Sequence, residues 1–149
     1  MEQRVESWIP HRGAMCLLDR VLEVGAEMAV AEVEVPFDGL FVSDGQVPAW
    51  VGIEYMAQTV SAWAGGRARG SGEAPRPGLL LGTRRYEVDC DGFPSGARLR
   101  IEARCELIGG NGLGQFDCRI EMDGRQVATA KLTVLDPPKD ANPLARNEA

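Results

Sequence analysis

Pro48-Ala49-Trp50-Val51-Gly52-Ile53-Glu54-Tyr55-Met56-Ala57-Gln58-Thr59-Val60-Ser61-Ala62-Trp63-Ala64-Gly65 differs in pattern from the rest of the chain. Its apolar residues, including Trp50, Val51, Ile53, Tyr55, Met56, Val60 and Trp63, cover nearly every side of a helix rather than one stripe. A helix that is apolar all round is a buried helix. Pro48 suits the first turn, where its missing N–H leaves no bond unmade. Gly65-Gly66 suits the end. The spacing predicts one long central helix over residues 48–65.

The segments on either side follow a different period. Ala97, Leu99, Ile101, Ala103, Cys105 and Leu107 alternate with Arg98, Arg100, Glu102, Arg104 and Glu106. Phe116, Cys118, Ile120 and Met122 alternate with Asp117, Arg119 and Glu121. Asp123-Gly124 is a hairpin signal, and beyond it Ala128, Ala130, Leu132 and Val134 share a face opposite Thr129, Lys131 and Thr133. Alternation of this kind marks strands with one buried and one wet face. Earlier, Ala29, Ala31, Val33 and Val35 alternate with Glu32 and Glu34. A strand is also expected through Cys16-Leu17-Leu18 and Val21-Leu22, with Gly25-Ala26-Glu27 as a turn, and another from Leu79 toward Val88. About six strands with hairpin-like links predict an antiparallel sheet. Residues 66–77, rich in Gly, Arg and Pro, read as a loop, and residues 137–149 as a disordered tail. The expected class is α+β, a single domain over residues 1–136 with a curved antiparallel sheet wrapped round a long central helix.

Composition narrows the functions. The net charge of −6 comes without any run of Lys or Arg, which argues against nucleic acid as a partner. No apolar stretch approaches the ~18–20 residues of a membrane span, and the first residues lack the apolar segment of a signal peptide. The expected location is the cytoplasm. The four cysteines, Cys16, Cys90, Cys105 and Cys118, are widely spaced without a C-x-x-C pair, and read as small apolar residues rather than metal ligands. No cofactor is implied.

His11 is the only histidine. Any imidazole chemistry near neutral pH must therefore fall to it. Glu54 is the odd residue of the apolar helix. A carboxylate buried without a partner costs several kcal/mol, so such a residue is paired, protonated or placed at a site. Gln58, at i+4, could hydrogen-bond it. At the helix start, the amide of Ala49 belongs to the N–H groups that have no partner within the helix and carry partial positive charge. A carbonyl oxygen placed there would be polarised, as in an oxyanion hole. Read without further context, a lone His near a chain start is more often a surface or packing residue than a catalyst, and Glu54 could line a groove between subunits or pair with an arginine elsewhere.

The residues carry a resemblance. Ile9-Pro10-His11-Arg12 followed by Leu17-Leu18-Asp19-Arg20-Val21-Leu22 resembles the opening of 3-hydroxyacyl-acyl-carrier-protein dehydratases, which have the hot-dog fold. Pro48 to Gln58 is similar to their central-helix motif with its catalytic acid. Phe93-Pro94-Ser95-Gly96-Ala97-Arg98-Leu99 is similar to their Pro-Gly turn, and Asp123-Gly124 to Val134 to their last hairpin. With Leu81-Gly82-Thr83-Arg84-Arg85-Tyr86, the chain looks most like the branch found with aryl polyene and related pathways. The resemblance implies a dimer, an acyl carrier protein as partner, and loss of water from 3-hydroxyacyl chains. It implies Glu54 as acid and the Ala49 N–H as oxyanion donor. One departure follows. The usual catalytic His of that family, in a Gly-His-Phe-Pro segment, falls at Leu40 here, in Gly39-Leu40-Phe41-Val42. The dehydratase reading therefore places the base at His11. Two other readings stay open: a non-catalytic acyl-binding or partner subunit that pairs with a related hot-dog chain, and a hot-dog thioesterase in which Glu54 activates water.

Overall fold

A computed structural model describes residues 4–70, 72 and 79–135. Among the described residues eight strands are formed: β1 Arg20–Val24, β2 Met28–Glu34, β3 Gln46–Pro48, β4 Leu79–Val88, β5 Gly92–Pro94, β6 Arg98–Ile108, β7 Leu113–Met122 and β8 Arg125–Leu135. Six of them make one antiparallel sheet in the order β1-β2-β6-β7-β8-β4, and β3 pairs with β5 in a separate ribbon. Helix α1 spans Gly52–Gly70 and is entered through a 3-10 turn at Ala49–Val51.

The alternating segments became the strands they predict. Leu99, Ile101 and Ala103 of β6, Phe116, Cys118 and Ile120 of β7, and Ala128, Ala130 and Leu132 of β8 are buried on the face toward the helix. The opposite face carries ion pairs such as Arg100–Glu121 at 3.6 Å. Such exposed pairs add about 0–1 kcal/mol each, so apolar burial at about 1.5–3 kcal/mol per large side chain dominates. Trp63 packs edge-on against Phe116, with centroids 5.2 Å apart, and its indole N–H donates to the Ala26 carbonyl at 3.1 Å. Asp123 and Gly124 both have positive φ (50° and 89°), the type I′ geometry that matches strand twist. Register shifts at Val21/Glu23, Arg84/Glu87 and Cys105/Leu107 bend the sheet around the helix. The last of these ends the alternation of β6, and Leu107 lies exposed.

Three expectations need correction. The helix does not end at Gly65-Gly66 but continues to Gly70. A Cβ at Gly65 would overlap the Trp8 carbonyl, and one at Gly66 would overlap Val24. These glycines let the N-terminal segment and β1 approach the helix, so they serve packing rather than termination. Pro48 closes β3 and precedes the helical turn instead of lying within it. Cys16-Leu17-Leu18 is not a strand. The Leu17 N–H donates to Gln58 Oε1 at 2.9 Å, which ties this segment to the helix instead of to a neighbouring strand. Of the predicted loop, residues 66–70 are helical. Residues 73–78 and the tail expected over 137–149 lie outside the described residues.

Candidate active site

Helix α1 carries Glu54 in its first turn, and the segment before β1 carries His11. His11 Nε2 lies 3.9 Å from Glu54 Oε2 in the same chain. Glu54 is not buried as expected. Its side chain keeps 39% of its exposure and that of His11 keeps 27%, so the pair faces an opening. Trp50, also expected within the buried helix, is exposed in the 3-10 turn and meets Phe41 edge-on at 5.8 Å.

Gln58 organises the site. It is fully buried, and its amide nitrogen donates to Glu54 Oε2 at 3.0 Å and to the Met15 carbonyl at 2.7 Å. Its carbonyl accepts the Leu17 N–H. One side chain thus orients the carboxylate and anchors the segment that follows His11. The i+4 spacing of Glu54 and Gln58 foretold the first bond; nothing in the sequence signals the two backbone bonds. Arg12 holds the other side of the segment, donating to the carbonyls of Ile9 at 2.6 Å, His11 at 2.7 Å and Glu6 at 3.1 Å.

Burial lowers the pKa of His11 from its ordinary value; Glu54 opposes this and Arg12 adds to it. The imidazole is therefore held toward its neutral, proton-accepting form. Its Nδ1 is buried without a hydrogen-bond partner among the described residues. The accessible nitrogen is the one directed at Glu54.

The helix start differs from the simple picture of free amides. The Ala49 N–H donates to the Asp91 carbonyl at 3.3 Å, a long bond. The Ala49 carbonyl accepts both the Gly52 N–H and, at 2.5 Å, the Tyr86 hydroxyl. Leu40, at the position where the resembled family has its histidine, is 66% exposed. It lines a cavity of about 260 Å³ with Cys16, Leu17, Phe41, Val47 and Tyr55. Cys118 is buried and the other three cysteines are half-buried.

A curved antiparallel sheet around one helix is the architecture of a hot-dog protein, here with a histidine and a carboxylate side by side near the helix N-terminus. A family model described as ApeP-like, ApeP dehydratase, matches residues 3–146, and the chain belongs to that family. Two curated relatives are similar along nearly their whole length. The 3-hydroxyacyl-acyl-carrier-protein dehydratase FabZ of Ligilactobacillus salivarius is 30% identical, over 88% of this chain and 94% of the relative. FabZ of Acinetobacter baylyi is 27% identical, over 89% and 91%. Among solved structures, a chain of the dehydratase heterocomplex ApeI:P from Xenorhabdus doucetiae superposes with a TM-score of 0.84 at 30% identity, covering 92% of this chain and 93% of that one. Among the described residues, no helix is long and apolar enough to cross a membrane.

Proposed function

We propose that this protein removes water from 3-hydroxyacyl thioesters held on an acyl carrier protein, giving trans-2-enoyl thioesters in a fatty-acid or polyene-type pathway of the cytoplasm. The observation that carries this reading is the His11–Glu54 pair at 3.9 Å beside the helix N-terminus. His11, disposed toward its neutral form, takes the C2 proton. The enolate oxygen that develops is stabilised at the partly positive N-terminal end of the helix, which is entered through the turn at Ala49–Val51. Glu54 gives its proton to the C3 hydroxyl, which leaves as water as the C2–C3 double bond forms. Transfer of the proton from His11 to Glu54 across their short separation resets the site. The cavity bordered by Leu17, Leu40, Phe41 and Val47 suits an acyl chain.

The test is direct. Purified protein given a 3-hydroxyacyl thioester on a carrier protein should form the conjugated enoyl product. His11→Ala should slow it by roughly 10²–10⁴-fold. Absence of product from the wild type, or full activity in the variant, sinks the assignment. Release of free thiol without enoyl product would instead identify a thioesterase.

A second reading rests on Leu40. Exposed Leu40, Phe37 and Trp50, at 66%, 74% and 61%, lie where a single chain leaves apolar surface open to water. This favours pairing, either as a homodimer or with a related hot-dog chain that supplies its own imidazole near this face. Mass measurement of the purified protein, alone and co-expressed with such a chain, separates the two. In the second case His11→Ala would leave the activity of the complex unchanged.

A further inference from the structure

The peptide unit between Ala49 and Trp50 is held in a fixed plane. Its carbonyl accepts two donors, the Gly52 N–H and the Tyr86 hydroxyl. Tyr86 reaches this carbonyl because position 52 has no side chain; a Cβ there would overlap the Tyr86 hydroxyl and crowd Phe93 and Ile120. The reach also depends on β4. Arg85 has φ 53°, a left-handed conformation uncommon for a non-glycine residue, and the register of β4 against β8 shifts between Arg84 and Glu87. This bulge re-aims Tyr86. Burial raises the Tyr86 phenol to about 12, so at neutral pH it is a donor.

In a trans peptide the N–H points opposite to the C=O. With the Ala49 carbonyl directed at Tyr86, the Trp50 N–H is directed away from Tyr86, toward the N-terminal end of the helix. That N–H has no acceptor among the described residues, whereas the Ala49 N–H is already engaged by Asp91. We propose that Tyr86 is a positioning residue for catalysis: by holding the Ala49 carbonyl it aims the Trp50 N–H at the thioester oxygen, making Trp50 rather than Ala49 the principal oxyanion donor. This rests on the dehydratase reading for its catalytic consequence, but the orientation of the peptide does not depend on it. A hydroxyl on the carbonyl side also polarises the peptide, which strengthens the N–H as a donor.

The experiment uses an acyl N-acetylcysteamine thioester labelled with 13C at its carbonyl, bound to wild-type protein and to Tyr86→Phe. Phenylalanine keeps the ring and removes only the hydroxyl. In the wild type, the bound carbonyl stretch should fall in frequency relative to free thioester, and the 15N-labelled Trp50 amide resonance should move more than that of Ala49. In Tyr86→Phe the frequency fall should shrink. Turnover should drop about tenfold to hundredfold at nearly unchanged KM, as expected when a preorganised donor is misaligned. A merely structural role would lower thermal stability without changing the carbonyl frequency. An unchanged frequency and turnover in the variant, or a larger shift at Ala49 than at Trp50, overturns the proposal; the Trp50 measurement needs no variant and stands if Tyr86→Phe does not fold. A wild type that shifts Trp50 and lowers the carbonyl frequency yet forms no enoyl product supports this orientation and overturns the dehydratase reading. Failure to bind the thioester overturns both.

Discussion

Gln58 bonds Glu54 Oε2 at 3.0 Å, and that same oxygen lies 3.9 Å from His11 Nε2. The amide thus sets the distance across which the two acid–base groups meet. It does so from a fully buried position, with its remaining bonding capacity spent on the backbone of Met15 and Leu17. The segment that follows the imidazole and the helix that carries the carboxylate are therefore tied together by one buried side chain.

Titration of His11 reports this environment. Burial is the largest influence and lowers its pKa below the ordinary 6.5. The single imidazole gives one Cε1–H resonance in untagged protein, and its midpoint should fall below 6.5. Glu54→Gln removes the influence that raises the pKa, so the midpoint should move lower still. A midpoint above the ordinary value would contradict this account. The sign carries to stability. The unfolded chain binds the proton more readily, so the contribution of His11 is complete above 6.5 and is lost as pH falls through the lowered folded value.

His11→Ala and Glu54→Gln should behave as a unit in catalysis. Each should reduce turnover by roughly 10²–10⁴-fold, and the double variant should be scarcely worse than the poorer single one. Steady-state kinetics on all three proteins tests this; multiplicative losses would mean the two groups act independently.

Gln58→Leu should destabilise the fold by about 1–3 kcal/mol, because the Leu17 N–H, the Met15 carbonyl and Glu54 all lose the partner they have in one buried side chain. Denaturant unfolding measures the loss. A change below about 0.5 kcal/mol, the usual span for surface substitutions, would show that these backbone groups find other partners.

Gly65→Ala and Gly70→Ala make a contrasting pair. At Gly65 the new Cβ meets the backbone of Trp8, which cannot rotate away as a side chain could, and the cost should be about 1–3 kcal/mol. At Gly70 none of the described residues lies near the added atom, and alanine should be neutral or stabilising by up to about 1 kcal/mol. Thermal melts of the two variants should move in opposite directions, or Gly70→Ala not at all.

Period-two alternation made β6, β7 and β8 legible because each buries one face along most of its length. The hairpin at Asp123-Gly124 was legible because its backbone geometry favours particular residues. The ribbon of β3 and β5 was not, since three residues are too few to show a period. The end of the helix was misplaced for a different reason. Glycine carries the same letter whether it stops a helix or admits a neighbour, and only the crossing of Trp8 over Gly65 distinguishes the two.

The fold class, the strand faces, the central helix and the restriction of imidazole chemistry to one residue can all be read from the order of the amino acids. These follow from local periodicity and composition, which act over a few neighbouring positions. That His11 and Glu54 meet within one chain, that Gln58 bonds both the helix and the segment after His11, and that Tyr86 bonds the helix start emerges from the folded chain alone. Those relations join residues far apart in the chain. They are set by how the sheet bends around the helix and by which carbonyl each buried donor can reach.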